Sequence, residues 1–146
     1  MALTNDRGNP VINPPDFPGE SYLVAGSGSS YAGGLVGLNA AGYLTKIPGP
    51  GIANNAFRFR GIAHERFVAP SATDGEIRVR VDRPGMIQGL QNLGSDAVTL
   101  ADLGNTVYAE DDDTIRRTNA GGLRCAVGML QAINPDGTVN VKPVQP

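Results

Sequence analysis

The chain has 146 residues, 12 Lys and Arg against 14 Asp and Glu, and a formal charge of −2. That length allows one domain with a real core and is short for two. The slight acidity argues against a general nucleic-acid binder, which needs a net basic face to release counterions. Twenty glycines, eleven prolines, no tryptophan and 5% aromatics predict many turns, few helices and a core of Val, Ile, Leu and Ala.

Residues 1–20 stand apart. Pro10, Pro14, Pro15 and Pro18 block helix and withhold four backbone donors from a sheet. They favour an extended path, and twenty extended residues reach roughly 60–70 Å. Val11, Ile12 and Phe17 have no periodic partner nearby. The segment therefore reads as an extended N-terminal arm that orders on a neighbouring subunit, with Pro10, Val11, Ile12, Pro14, Pro15 and Phe17 as its binding residues, or else as a disordered tail. The N-terminus carries only Arg7 as a cation and no continuous apolar stretch, so no signal peptide is expected. No run approaches the ~20 apolar residues of a membrane span, and the expectation is a soluble chain made in the cytoplasm.

The body, residues 21–146, reads as a succession of short strands. Ser21–Ala25 is the first, followed by a Gly-Ser loop over 26–30 that lacks the Gly-Lys-Ser/Thr of a phosphate cradle. Gly33 to Thr45 predicts a hairpin turning near Asn39–Gly42, ended by the rigid Pro48-Gly49-Pro50-Gly51. From Ala56 to Gly89 alternation is clear: Phe57 and Phe59 against Arg58 and Arg60, then Ile77, Val79 and Val81 against Arg78, Arg80 and Asp82. If those strands are neighbours, four guanidiniums form one basic stripe. Arg outnumbers Lys ten to two, and the guanidinium suits bidentate pairing at interfaces. The stripe reads either as a solvated face paired with Glu65, Glu76 and Asp82 or as a docking face for an acidic partner. Asp96 to Leu103 allows at most one helical or 3₁₀ turn, with Asp96 as its cap.

The last third, Asp102 to Lys142, holds β-branched runs separated by Asp, Asn and Gly, with Asp136-Gly137 as a hairpin signal. Glu110-Asp111-Asp112-Asp113 is the best metal candidate, but it lacks the Gly and distal Glu of an EF-hand loop. It reads as a polar turn, with Asp111, Asp112 and Asp113 also placed to meet an Arg stripe on another copy. His64, the one histidine, sits beside Glu65 and Arg66, and no nucleophile signature surrounds Cys125 or any Ser. The lone cysteine excludes an intrachain disulfide and reads as a small buried hydrophobe. No catalytic residue, metal or cofactor is assigned, and no enzyme is expected.

Asp102-Leu103-Gly104 leading to Val107-Tyr108, the acidic turn, the Gly128-Met129 strand and the terminal Asp-Gly-Thr-Val-Asn-Val hairpin together resemble the cement or decoration proteins of tailed-phage capsids. Gly34–Leu38 with Gly42–Leu44, Phe59–Ala63, and Gly75–Val81 to Ile87 match the same pattern, so the likeness covers residues 21–142. The strand pattern predicts an all-β fold of roughly eight to ten short strands, a small closed or partly closed antiparallel barrel, and the resemblance implies that it is of the β-tulip type. The resemblance also implies a structural role on the outer capsid surface of the virion, binding the major capsid protein and its own copies as a homotrimer, with no direct nucleic-acid or membrane contact. The alternative is a carbohydrate- or receptor-binding β-module displayed on a virion or cell surface.

Overall fold

The computed structural model describes residues 2–6 and 20–143. Within them lie twelve strands and no α-helix. The strands are β1 (Glu20–Leu23), β2 (Ser29–Ser30), β3 (Leu35–Leu38), β4 (Leu44–Lys46), β5 (Arg58–Ala63), β6 (Phe67–Val68), β7 (Arg78–Asp82), β8 (Ile87–Leu90), β9 (Thr106–Ala109), β10 (Ile115–Arg116), β11 (Ala126–Ile133) and β12 (Val139–Pro143). They form two five-stranded sheets, ordered β1-β7-β5-β3-β4 and β10-β9-β11-β12-β8, and a small third sheet of β2 and β6. Every ladder is antiparallel.

The all-β class holds, and of the expected closed or partly closed barrel the closed form is absent: none of the three sheets closes into a barrel. Each large sheet instead brings its two edges together at one residue pair. Val24, just past β1, bridges Leu44 of β4, and Gln91, just past β8, bridges Thr114 before β10. One bridge ties two edges without making a ladder, yet it covers part of the strand edge that would otherwise recruit another chain.

Two cores follow from the alternation. Leu35, Ile47, Phe59 and Ile62 of the first sheet and its loops pack against Ile87, Leu90, Val107, Ile115, Val127, Leu130, Val139 and Val141 of the second. Val24, Val36, Leu38, Leu44, Ala63, Phe67, Val79 and Val81 form the other core on the opposite face of the first sheet. Adjacent residues Leu35 and Val36 thus serve different cores, as period two requires.

The predicted hairpins are present. Asn39 turns the β3–β4 hairpin by accepting the Ala41 and Tyr43 N–H groups on its Oδ1, both at 3.0 Å. Gly137, at φ 90°, turns β11 into β12, with its N–H on Asn134 O at 2.9 Å. The single 3₁₀ turn among the described residues is Leu100–Asp102, capped by Thr99 rather than Asp96. Asp96 is drawn away because its carboxylate accepts from Thr118 Oγ1 at 2.6 Å and from Arg124 at 2.7 Å.

Candidate interaction surface

The four arginines singled out by alternation do lie on neighbouring strands, but they do not make one stripe. Ile62 pairs with Asp82 and Ala63 with Val81, which places Arg58 and Arg60 beyond one end of the β5–β7 ladder and Arg78 and Arg80 toward the other. A bulge at Gly61, where φ is +144° and the β3–β5 register slips, then shifts the phase of β5. Phe59 and Ile62 consequently share a core, whereas alternation alone would set them on opposite faces. Arg58 pairs with Leu38, on the face of the second core, while Arg78 and Arg80 share the face of Asp82. The expected stripe is two pairs on opposite faces.

The two pairs are also held differently. Arg80 Nε lies 3.2 Å from Asp82 Oδ1, Asp82 Oδ2 lies 2.9 Å from His64 Nδ1, and Arg78 donates to Ser21 O at 3.3 Å. Of the carboxylates expected to pair with these arginines, Asp82 does so, while Glu76 receives the Ser71 hydroxyl. On the other face, the Arg83 bridge to Glu20 at 3.1 Å sits near Arg60. The Tyr22 hydroxyl and the positive charges of Arg83 and Arg60 hold the Glu20 carboxyl below its ordinary range. Arg58 is exposed.

The β5 residues Arg58 and Arg60 are among those that line a groove of about 450 Å³ shared between the two large sheets. Phe57 and Phe59 line it from β5 and the residue before it; Tyr108 of β9 and Arg124, Cys125 and Ala126 at the start of β11 line it from the other sheet. Arg124 is a member that alternation did not reveal, since it precedes an apolar strand and reads as scaffold. Its guanidinium is fixed by Glu110 Oε2 at 2.8 Å and Asp96 Oδ2 at 2.7 Å, and Glu110 also receives Arg116 Nε at 2.9 Å. Burial pushes the Glu110 and Asp96 carboxyls up; the hydrogen bonds and positive charges of these partners outweigh it, leaving both below their ordinary values. A groove lined by one clamped guanidinium, two further arginines and aromatic side chains can take an acidic, partly apolar surface.

The acidic turn departs most from expectation. Asp111, Asp112 and Asp113 are buried, so they are not a charged surface that meets an Arg stripe on another copy. The turn is the joint between the two large sheets. Asp111 Oδ1 accepts the Asp113 and Thr114 N–H groups at 2.9 and 2.8 Å, Asp112 O accepts Leu35 N–H at 2.9 Å, and Asp113 O accepts Gln91 N–H at 2.8 Å. The Pro48–Gly51 loop covers it so closely that a Cβ on Gly49 would lie 1.9 Å from Glu110 O. Burial raises the Asp112 carboxyl above its usual range; the Leu3 N–H lowers it and the Asp111 charge raises it further.

The arm residues Pro10, Val11, Ile12, Pro14, Pro15 and Phe17 lie outside the described residues. Residues 2–6 rest on the chain's own body. Leu3 N–H donates to Asp112 Oδ1 at 2.9 Å, and Asp6 Oδ1 accepts Ala32 N–H at 2.9 Å and Arg66 Nε at 3.2 Å. Cys125 is buried, and burial pushes its thiol up to about 11. Among the described residues no cluster of three or more His, Cys, Asp or Glu side chains is placed to hold a metal ion, and no helix is long and apolar enough to cross a membrane.

Comparison with protein-family models, with curated proteins and with solved structures finds no match to this chain.

Proposed function

We propose that this chain is a decoration protein of a tailed-phage capsid, one that docks on the outer surface of the shell and holds neighbouring capsomers together. The observation that carries the reading is the groove between the sheets, lined by Arg58, Arg60 and the immobilised Arg124 together with Phe57 and Tyr108. Its charge and apolar walls complement acidic loops of a major capsid protein. Many modest contacts of this kind gain strength by repetition over a lattice. Further support comes from the glycine-spaced strand pattern of residues 21–142 described above. The near approach of both sheets' edges, at Val24–Leu44 and Gln91–Thr114, is compatible with a β-tulip-like body. In this reading the protein sits on the virion as a homotrimer, and the proline-rich leader adds a second attachment.

The test is co-sedimentation with expanded capsid shells. Arg58→Glu, at an exposed position that leaves both cores untouched, is expected to lower occupancy about tenfold or more. That factor corresponds to a loss of roughly 1.4 kcal/mol per site. Occupancy equal to that of the unmodified protein overturns the reading. A glycan- or receptor-binding module is the second reading, favoured by the Phe57 and Tyr108 walls of the same groove. It requires glycan binding that Tyr108→Ala abolishes while shell binding is absent.

A further inference from the structure

The contacts of residues 2–6 define a seat with two anchors of opposite polarity. At one end a backbone N–H of the segment, Leu3, binds the buried carboxylate of Asp112. At the other end the carboxylate of Asp6 is held by the Ala32 N–H and the Arg66 guanidinium, which also lies 4.6 Å from the centre of the Tyr31 ring. Between them the Leu3 side chain lies over Gly34, where an added Cβ would come within 3.1 Å of it. A donor at one end and an acceptor at the other fix both the direction and the register of a five-residue segment. Such a seat recognises a Leu at position 3 and an Asp at position 6 of the segment.

Residues 7–19 connect this segment to β1 at Glu20. That connection can span up to about 50 Å, more than the roughly 35–40 Å width of a folded chain of this length. A tether of that length is long enough to carry the segment past its own molecule.

We propose that residues 2–6 exchange between copies, so that in assemblies the segment of one molecule occupies the Ala32, Gly34, Arg66 and Asp112 seat of a second. The contacts made in the two arrangements are identical, so exchange sacrifices none of them; this is the usual low-cost route by which an element is swapped between protomers. The balance is set by concentration alone. A linker of thirteen residues holds its own segment at an effective concentration on the order of millimolar, and copies packed side by side exceed that. The inference rests on the decoration reading for the packing density only, and its test uses no shell.

Two single variants, Asp6→Arg and Arg66→Asp, each place like charges in their own seat. Asp6 and Arg66 are both exposed, so neither change disturbs the cores. In a mixture, the unaltered Asp6 of the Arg66→Asp chain matches the unaltered Arg66 of the Asp6→Arg chain, and this contact forms only between molecules. The readout is hydrogen exchange at the Ala32 amide, with isotope label on the Asp6→Arg chain alone and total protein at about 1 mM. Protection of Ala32 is expected to be lost in the labelled variant by itself and regained on adding the Arg66→Asp chain, with a mixed complex seen by native mass spectrometry. If Ala32 remains unprotected in the mixture, exchange between copies is excluded, whatever the shell-binding result. If the Asp6→Arg chain by itself keeps Ala32 protected, the seat as described is wrong.

Discussion

Asn54 and Cys125, 71 residues apart in sequence, are joined by a hydrogen bond in which Asn54 Oδ1 accepts the Cys125 N–H at 2.8 Å. The other end of the same amide donates to Pro48 O at 3.0 Å and Ala109 O at 3.1 Å. One side chain, 1% exposed, thus fastens the Pro48–Gly51 loop to the end of β9 and the approach to β11. A buried amide with its partners in place contributes modestly, but removing it strands several buried groups at once.

Asn54→Ala is therefore expected to destabilise the fold by about 3 kcal/mol. Asn54→Asp should be at least as damaging, because it sets a carboxylate against the carbonyls of Pro48 and Ala109. Urea unfolding with an unchanged slope is the measurement. A loss under about 1 kcal/mol for both variants contradicts the role assigned to this residue.

Arg124→Met should destabilise by about 1–2 kcal/mol at neutral pH, less than the 3–5 kcal/mol of a fully buried pair, because the site keeps some solvent contact. Glu110 and Asp96 have depressed carboxyls. Their contribution is present above their unfolded values, 4.5 and 3.8, and is lost as pH falls through the lower folded ones. The difference between Arg124→Met and the unmodified protein should shrink in acid, as thermal melts across pH 7 to pH 3 would show.

Asp112 carries the opposite sign. Its carboxyl is raised above 3.8, so its uncharged form suits the fold, and stability is lost as pH rises through the folded value. Asp112→Asn keeps an oxygen for the Leu3 N–H and removes the buried charge. It is expected to gain about 1 kcal/mol at pH 7, with the gain vanishing below the unfolded value in the same melts.

The Cys125 thiol should react slowly with a disulfide reagent in the native protein and at once after unfolding, since thiolate, not thiol, attacks. With its ordinary value of 9.0 pushed to about 11, the protein should lose stability as pH rises between those values. Cys125→Ser should flatten that part of the pH profile. Rapid labelling of the native protein would contradict the burial.

The amino-acid sequence by itself determined the strand-rich class, the β3–β4 and β11–β12 hairpins and the inward valines of β7. Alternation and turn chemistry are local, and Asn39, Gly137 and Val79 act within a few residues of themselves. It also brought Arg58 and Arg60 forward as a pair. Only the tertiary structure decided what that pair faces, because a one-residue bulge at Gly61 turns one part of β5 over relative to the next. The burial of Asp111–Asp113, the clamp on Arg124 and the reach of Asn54 were likewise decided by which strands cross. Their partners lie tens of residues away, and no local pattern encodes the distance between them.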